Sequence, residues 1–223
     1  MAQRIIHYLL AVKLAESCPV SDRKRFLAGS LLPDAYISVS DRKITHYKAI
    51  AGGGADIFDF NRFRTEFRDL IFTDDLYLGY YLHLIEDAVY RQFLWINRYE
   101  RPLNMEQAKL LHQDYHILNA VFIKQYELIN ELKEPVRLEE EPITRIAPFS
   151  AEAMVKELAG DFSDRVTGAF RYVNEAMMET YIKDAFPVCL REMRAVREGH
   201  FTLDAQEFRY FRENSPQTGA LRQ

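Results

Sequence analysis

The stretch YYLHLIEDAVY, residues 80–90, lies in the most apolar helical segment of the chain. His83 and Asp87 are four residues apart in it, so on an α-helix they project in directions about 40° apart. Segment 75–99 is apolar nearly all round, which is typical of a helix buried at the centre of a domain. A buried carboxylate needs compensation, because an unpaired buried charge costs far more than one hydrogen bond returns. The pair therefore indicates either metal ligands or a polar pair hydrogen-bonded within the core.

Apolar residues recur with helical periodicity along the whole chain, which predicts an all-α, multi-helix bundle. Strand-like alternation with hairpin dipeptides is not evident. A long loop between the second and third helices, residues 36–60, contains the glycine triplet 52–54 and is expected to be functional or mobile. The predicted helices are 3–17, 21–31, 60–72, 75–99, 104–132, 151–160 and 163–198, the last of them broken at Pro187.

Helices and breaks together predict the organisation of the chain. Residues 1–132 form a helical core that carries the candidate metal ligands, and residues 133–150 form a polar, proline-bearing linker. The helices of 151–213 are expected to pack on this core or to form a lid. The tail, residues 214–223, is expected to be disordered.

Composition argues against several classes of protein. The net charge is −4, so no overall basic field would attract nucleic acid or an anionic membrane. The chain has two cysteines, Cys18 and Cys189, which favours a reducing compartment over a disulfide framework. The sequence contains no uninterrupted run of 18 apolar residues, so we predict no membrane span. Because His7 and Lys13 interrupt the apolar N-terminal segment, we interpret it as an amphipathic helix and expect a cytoplasmic location.

Further candidate ligands follow from helical phase. His7 shares its face with Leu10 and Leu14 and is expected to point inward. It is then either a metal ligand or a core histidine whose nitrogens are hydrogen-bonded within the protein. Asp114 lies in the middle of the apolar stripe of segment 108–122. His112 and His116 have the i, i+4 spacing of a zinc pair, but they are expected to face solvent on the polar side of that helix.

Asp34 in LLPDA and His46 in ITHYK are loop residues, where functional side chains are often found. Gly79, one turn before His83, is expected to leave room for a metal or ligand. Nitrogen and oxygen ligands without a thiolate suit a catalytic zinc site, or iron or manganese. The complete predicted ligand set is His7, Asp34, His46, His83, Asp87 and Asp114.

Five short motifs, IIHYLLA, FLAGSLLPDA, THYK, YLGYYLHLIEDAVY and HQDYHILN, resemble in their order those of the zinc-dependent phospholipase C family. The resemblance is closest to bacterial members without a secretion signal, and it covers about residues 3–130. It implies an all-α fold, related to single-strand-specific zinc nucleases, with a metal cluster between helices.

Carried over by position, the resemblance implies that Asp34, His46, His83 and Asp87 hold one zinc ion. Asp87 would bridge to a second ion near His7, and Asp34 would be a ligand, the general base, or both. The family's N-terminal tryptophan ligand and its third set of ligands are not reproduced, since AVYRQFLW, rather than a run with histidine, follows Asp87. We therefore expect one or two zinc ions.

The sequence thus predicts a metal-dependent hydrolase that uses metal-activated water on a small-molecule or lipid phosphoester. Four tyrosines near the ligands could line its substrate pocket or could simply be core aromatics. A helical binding or regulatory protein that keeps the scaffold without catalysis is the alternative from another class. An HD-type phosphohydrolase is weakened because none of the six histidines is followed by aspartate. The four tyrosines are Tyr47, Tyr80, Tyr90 and Tyr115.

Overall fold

The helical periodicity of the sequence is realised in the computed structural model, which describes residues 3–97, 99 and 104–211. Within these residues the chain forms nine α-helices and one two-stranded antiparallel sheet. The all-α prediction is confirmed at that level, while the likeness to one helical family stays a prediction. The elements are α1 (Arg4–Ser17), α2 (Arg23–Gly29), α3 (Arg42–Thr45), β1 (Lys48–Ile50), β2 (Asp56–Phe58), α4 (Phe60–Glu66), α5 (Arg68–Thr73), α6 (Asp75–Ile96), α7 (Met105–Gln125), α8 (Ala151–Phe162) and α9 (Glu175–Arg197).

Helix α6 is the centre of the fold. It begins at Asp74, whose side chain accepts a hydrogen bond from the backbone N–H of Leu76. Every residue from Asp75 to Tyr90 is buried, so the apolar character of this segment on all sides is explained by its position. Helices α2, α5 and α9 pack against different sides of α6. The predicted central helix is therefore confirmed.

Two glycines allow α2 and α6 to approach closely. A Cβ atom at Gly29 would overlap the backbone carbonyl of Leu76, and one at Gly79 would overlap the backbone carbonyl of Phe26. The expectation that Gly79 leaves room for a metal or ligand was wrong. The space beside Gly79 is filled by the backbone of α2, which brings Ser30 and the following turn against the polar residues of α6.

The long loop after α2 is more ordered than expected. It contains α3 and a small hairpin in which Lys48 pairs with Phe58 and Ile50 with Asp56. Gly53 and Gly54 adopt positive φ angles of 76° and 77° at its turn, which glycine tolerates without strain. The sequence did not predict this hairpin, because three-residue strands are too short to show an alternating pattern.

Several helix boundaries also differ from prediction. The helix predicted over 60–72 is divided at Phe67 into α4 and α5. The helix predicted over 163–198 begins only after Asn174, whose side chain accepts a hydrogen bond from Met177, and it continues through Pro187. One buried face runs along α9, and its packing outweighs the hydrogen bond that proline removes.

The segment 133–150 and the C-terminal helices pack on the rest of the chain. Leu138 and Ile143 are buried, and the backbone N–H of Ser150 donates to the carbonyl of Ala35. Helix α9 packs against α1 and α6, and α8 packs against α7. The predicted disordered tail, 214–223, lies outside the described residues. Across those residues, no helix combines the length and apolarity needed to cross a bilayer.

Substitution of Gly79 by alanine tests the close helix contact. We expect Gly79→Ala to lower the free energy of unfolding by about 2 kcal/mol or more, because the added methyl group overlaps backbone that cannot move independently. Urea unfolding followed by circular dichroism measures the change. Gly160→Ala in α8 is the matched control, since a Cβ there meets open space, and it should raise stability by about 0.5–1 kcal/mol. Equal effects of the two substitutions would contradict the role given to Gly79.

Candidate metal centre

Five of the six predicted ligands come together in the centre of the fold. They are contributed by four separate parts of the chain, so their proximity is a property of the tertiary structure. His83 and Asp87 lie on α6, and His7 reaches them from α1. Asp34 ends a 3₁₀ turn after α2, and His46 directly follows α3.

The first group of ligand atoms contains Asp34, His46 and His83, whose donor atoms all lie within 4.8 Å of one another. Nε2 of His46 is 3.3 Å from Oδ1 of Asp34 and 3.3 Å from Nε2 of His83. Tetrahedral coordination with bonds of about 2.1 Å separates neighbouring ligand atoms by about 3.4 Å. The observed distances match that separation.

Asp87 connects this group to His7. Its Oδ2 lies 3.7 Å from Nε2 of His46 and 4.0 Å from Nε2 of His83, whereas its Oδ1 lies 3.5 Å from Nε2 of His7. One carboxylate oxygen therefore faces each side. This is the arrangement that a bridging ligand between two ions requires.

Backbone carbonyls fix the tautomers of two histidines. Nδ1 of His83 is 2.7 Å from the carbonyl oxygen of Ser30, and Nδ1 of His46 is 2.9 Å from that of Arg42. A carbonyl oxygen only accepts, so each Nδ1 is the donor and each neutral ring has its lone pair on Nε2. Two lone pairs that face each other at 3.3 Å cannot hydrogen-bond to each other. They are positioned for a shared cation.

Burial of the histidines strengthens this arrangement. Burial lowers the pKa of His83 to about 3, and the neighbouring charge of His7 contributes to the decrease. Burial also lowers the pKa of His46. Both rings are thus neutral at physiological pH, which is the form that binds metal.

His7 is held in a different state by Glu86, a residue that the sequence analysis did not single out. Nδ1 of His7 donates to Oε2 of Glu86 over 2.6 Å, and both side chains are buried. Burial alone would lower the pKa of His7, but its interactions with Asp87 and Glu86 raise it to about 10. A carboxylate behind a ligating histidine orients the ring and raises its basicity. The sequence did contain a signal for Glu86, since it is a second carboxylate on a helix that is apolar on all sides.

Within the described residues, Nε2 of His7 and Oδ1 of Asp34 are among the buried side-chain atoms that have no hydrogen-bond partner. Buried polar atoms without partners are rare in folded proteins, and the binding of an ion is one of the recognised reasons for them. Both atoms belong to the predicted ligand set, so the donor set fits a cation.

Asp34 lies at the solvent side of the cluster. Its side chain is 13% exposed, whereas those of His46 and Asp87 are fully buried. A cavity of about 550 Å³ opens beside Asp34, and Tyr90 and Tyr115 form part of its wall. A ligand could therefore reach the candidate metal centre from this side.

Asp114 does not belong to the cluster. It is buried as predicted, but its carboxylate accepts hydrogen bonds from the backbone N–H groups of Arg171, Tyr172 and Val173. Among the described residues it is in no group of potential ligand atoms within 4.8 Å of one another. Helical phase correctly predicted that Asp114 points inward, but it could not predict that backbone N–H groups lie opposite its carboxylate.

The four candidate pocket tyrosines divide into two pairs. Tyr90 and Tyr115 line the cavity, and their hydroxyl oxygens are 3.4 Å apart. Tyr80 donates to the carbonyl of Thr45 over 2.5 Å, and Tyr47 donates to Glu66 over 2.5 Å. Neither Tyr80 nor Tyr47 lines this cavity, and each fixes the position of a neighbouring segment instead.

The remaining histidines and the cysteines contribute no ligand to this centre. His112 and His116 are exposed, as predicted, and His200 is exposed as well. His116 lies close to Asp161 and Asp164, but Asn119 already donates to both carboxylates. Cys18 and Cys189 are free and buried, and neither belongs to a potential ligand group within the described residues. The centre therefore offers only nitrogen and oxygen.

No protein-family model, curated protein or solved structure matches the chain.

Substitution of Glu86 tests the support behind His7. We expect Glu86→Gln to lower the affinity for metal by about 10–100-fold, because an uncharged amide makes His7 a weaker base. Competition with a chromophoric chelator measures the affinity. Glu192→Gln is the matched control, since Glu192 is equally buried but accepts hydrogen bonds from Tyr81 and Leu203 elsewhere in the core. Unchanged affinity in Glu86→Gln would show that Glu86 does not support a ligand.

The protonation state of His7 predicts a pH effect on metal uptake. With a pKa of about 10, His7 is protonated in the metal-free chain at pH 7.5 and must lose its Nε2 proton to bind an ion. We expect about one proton to be released when the ion beside His7 binds, and affinity to rise with pH below the pKa. Calorimetric titration with zinc in buffers of different ionisation enthalpy counts the protons. A binding enthalpy that is the same in every buffer would contradict the expectation.

Proposed function

We propose that this chain is a metal-dependent hydrolase of phosphoesters whose centre is similar to that of the zinc-dependent phospholipase C family. The observation that carries the proposal is the convergence of two neutral histidine lone pairs with the oxygens of two carboxylates. Polar side chains that pair for structural reasons in a core are expected to hydrogen-bond to one another, donor to acceptor. These atoms are all acceptors, so a cation between them would suit the arrangement better than a hydrogen bond.

In this proposal Asp34, His46, His83 and Asp87 hold one ion, and His7 and Asp87 contribute to a second. The nitrogen and oxygen donors fit zinc, with iron or manganese as other suitable ions. A bound ion would lower the pKa of water and neutralise charge on a phosphoryl group.

Residues of the chain have defined roles around such an ion. Glu86 orients His7, while the carbonyls of Ser30 and Arg42 orient His83 and His46. Asp34 has two oxygens and the greatest exposure in the cluster, so it is suited to ligate with one oxygen and to accept a proton from water with the other. Tyr90 and Tyr115 limit the cavity into which the substrate would enter.

Metal content and hydrolysis test this proposal together. We expect the untagged protein to contain zinc, iron or manganese by mass spectrometry and to hydrolyse at least one generic phosphoester. Asp87→Asn should remove the bridging charge, lower metal content and reduce kcat by about 100-fold or more.

Asp114→Asn is the matched control. It should keep the metal and the activity but lower the free energy of unfolding by about 1–2 kcal/mol, because one anionic acceptor of backbone N–H groups is lost. Full metal content in Asp87→Asn would refute the bridging role. Protein that contains metal but hydrolyses no substrate would favour the alternative of a metal-containing binding protein.

A further inference from the structure

The cavity beside Asp34 has three arginines in its wall. Its volume of about 550 Å³ lies within the range of small-molecule sites. Arg4, Arg42 and Arg91 all contribute to the lining.

Arg4 is already compensated by carboxylates of the same wall. Arg4 pairs with Glu157 and, over 2.5 Å, with Asp161, and these two carboxylates also line the cavity. Asp34 is the third carboxylate of the wall and belongs to the candidate metal centre. The anionic groups of the wall are therefore committed, either to Arg4 or to the ion.

Among the described residues, Arg91 has no carboxylate partner of this kind. It follows Asp87 by one helical turn on α6 and is half-buried. No carboxylate of the described residues lies within 4.0 Å of its guanidinium, whose contact is with the ring of Tyr90 at 5.9 Å. A partly buried cation without a counter-ion favours an anion from solution, and guanidinium is especially suited to phosphate oxygens.

Arg42, at the start of α3, adds positive charge to the wall. It is half-buried, and its backbone carbonyl holds His46, which fixes its position relative to the candidate metal centre. Burial lowers the pKa of the nearby Lys48 to about 8, and the charges of Arg91 and Arg42 contribute to the decrease. The charges of Arg42 and Arg91 therefore both reach the region beside the candidate metal centre, where Asp34 and Asp87 act in the opposite direction on Lys48.

We propose that Arg42 and Arg91 form an anion-binding wall and that the substrate of this centre is a phosphomonoester, whose dianionic phosphate the wall binds. This inference rests on the proposed function and specifies its substrate class. A dianion gains more than a monoanionic diester from two guanidinium groups, because the attraction scales with charge. A zwitterionic diester, in which a quaternary ammonium group would meet the same arginines, is disfavoured.

Titration with inorganic phosphate tests the wall separately from the metal. Calorimetry on the chelator-treated full chain at pH 8 removes any contribution of an ion. We expect Arg91→Gln and Arg42→Gln each to weaken phosphate binding by about tenfold, as for loss of one charge-assisted pair. Arg91→Lys, which keeps the charge, should lose less than Arg91→Gln. Arg191→Gln is the control, since Arg191 is exposed on α9 and does not line the cavity.

Kinetics on the metal-loaded protein provide the second readout. Arg91→Gln should raise KM for 4-nitrophenyl phosphate more than KM for bis(4-nitrophenyl) phosphate, with metal content unchanged. Unaltered phosphate affinity in both glutamine variants, with metal and activity retained, would overturn the wall and leave the hydrolase proposal intact. Arginine-dependent phosphate binding in a chain that takes up no metal would refute the hydrolase and support the wall alone.

Discussion

Two adjacent carboxylates, Glu86 and Asp87, lie in the middle of the most apolar helix of the chain, and the rest of the centre depends on their burial. Charge at such a depth is tolerated only with specific compensation. His7 supplies part of it from α1, by contacting both carboxylates. His46 and His83 approach Asp87 as well, with neutral rings that present lone pairs to it. The fold thus gathers acceptor atoms and carboxylates at its centre, and a cation there would be electrostatically favoured.

The backbone positions the residues that meet at this centre. Gly29 and Gly79 let α2 lie directly against α6, so the carbonyl of Ser30 reaches His83. The turn that follows Ser30 then places Asp34 beside His46. The packing of α2 on α6 therefore fixes the tautomer of His83, and a rigid contact between the two helices maintains that tautomer.

Local pattern was sufficient to predict much of this fold and site. The helix pitch fixes which side chains share a face, so the burial of His7, His83, Asp87 and Asp114 could be read from their apolar neighbours. What lies opposite that face is not encoded locally. Asp114 accepts hydrogen bonds from three backbone N–H groups in the segment just before α9, and no spacing within its own helix predicts them. Conversely, His112 and His116 have the spacing of a metal-binding pair, but within the described residues they do not come together in one group of potential ligands.

The five converging side chains are separated by up to eighty positions, from His7 to Asp87, and each lies on a different segment or a different turn of the chain. A cation held by them would join α1, the turn after α2, the segment after α3 and α6 at one point. It would then act as a cross-link that closes several chain loops at once, and loop closure removes freedom chiefly from the unfolded chain. Binding to the native state alone also shifts the folding equilibrium by mass action. The order of this half of the molecule would consequently depend on the supply of metal in its surroundings.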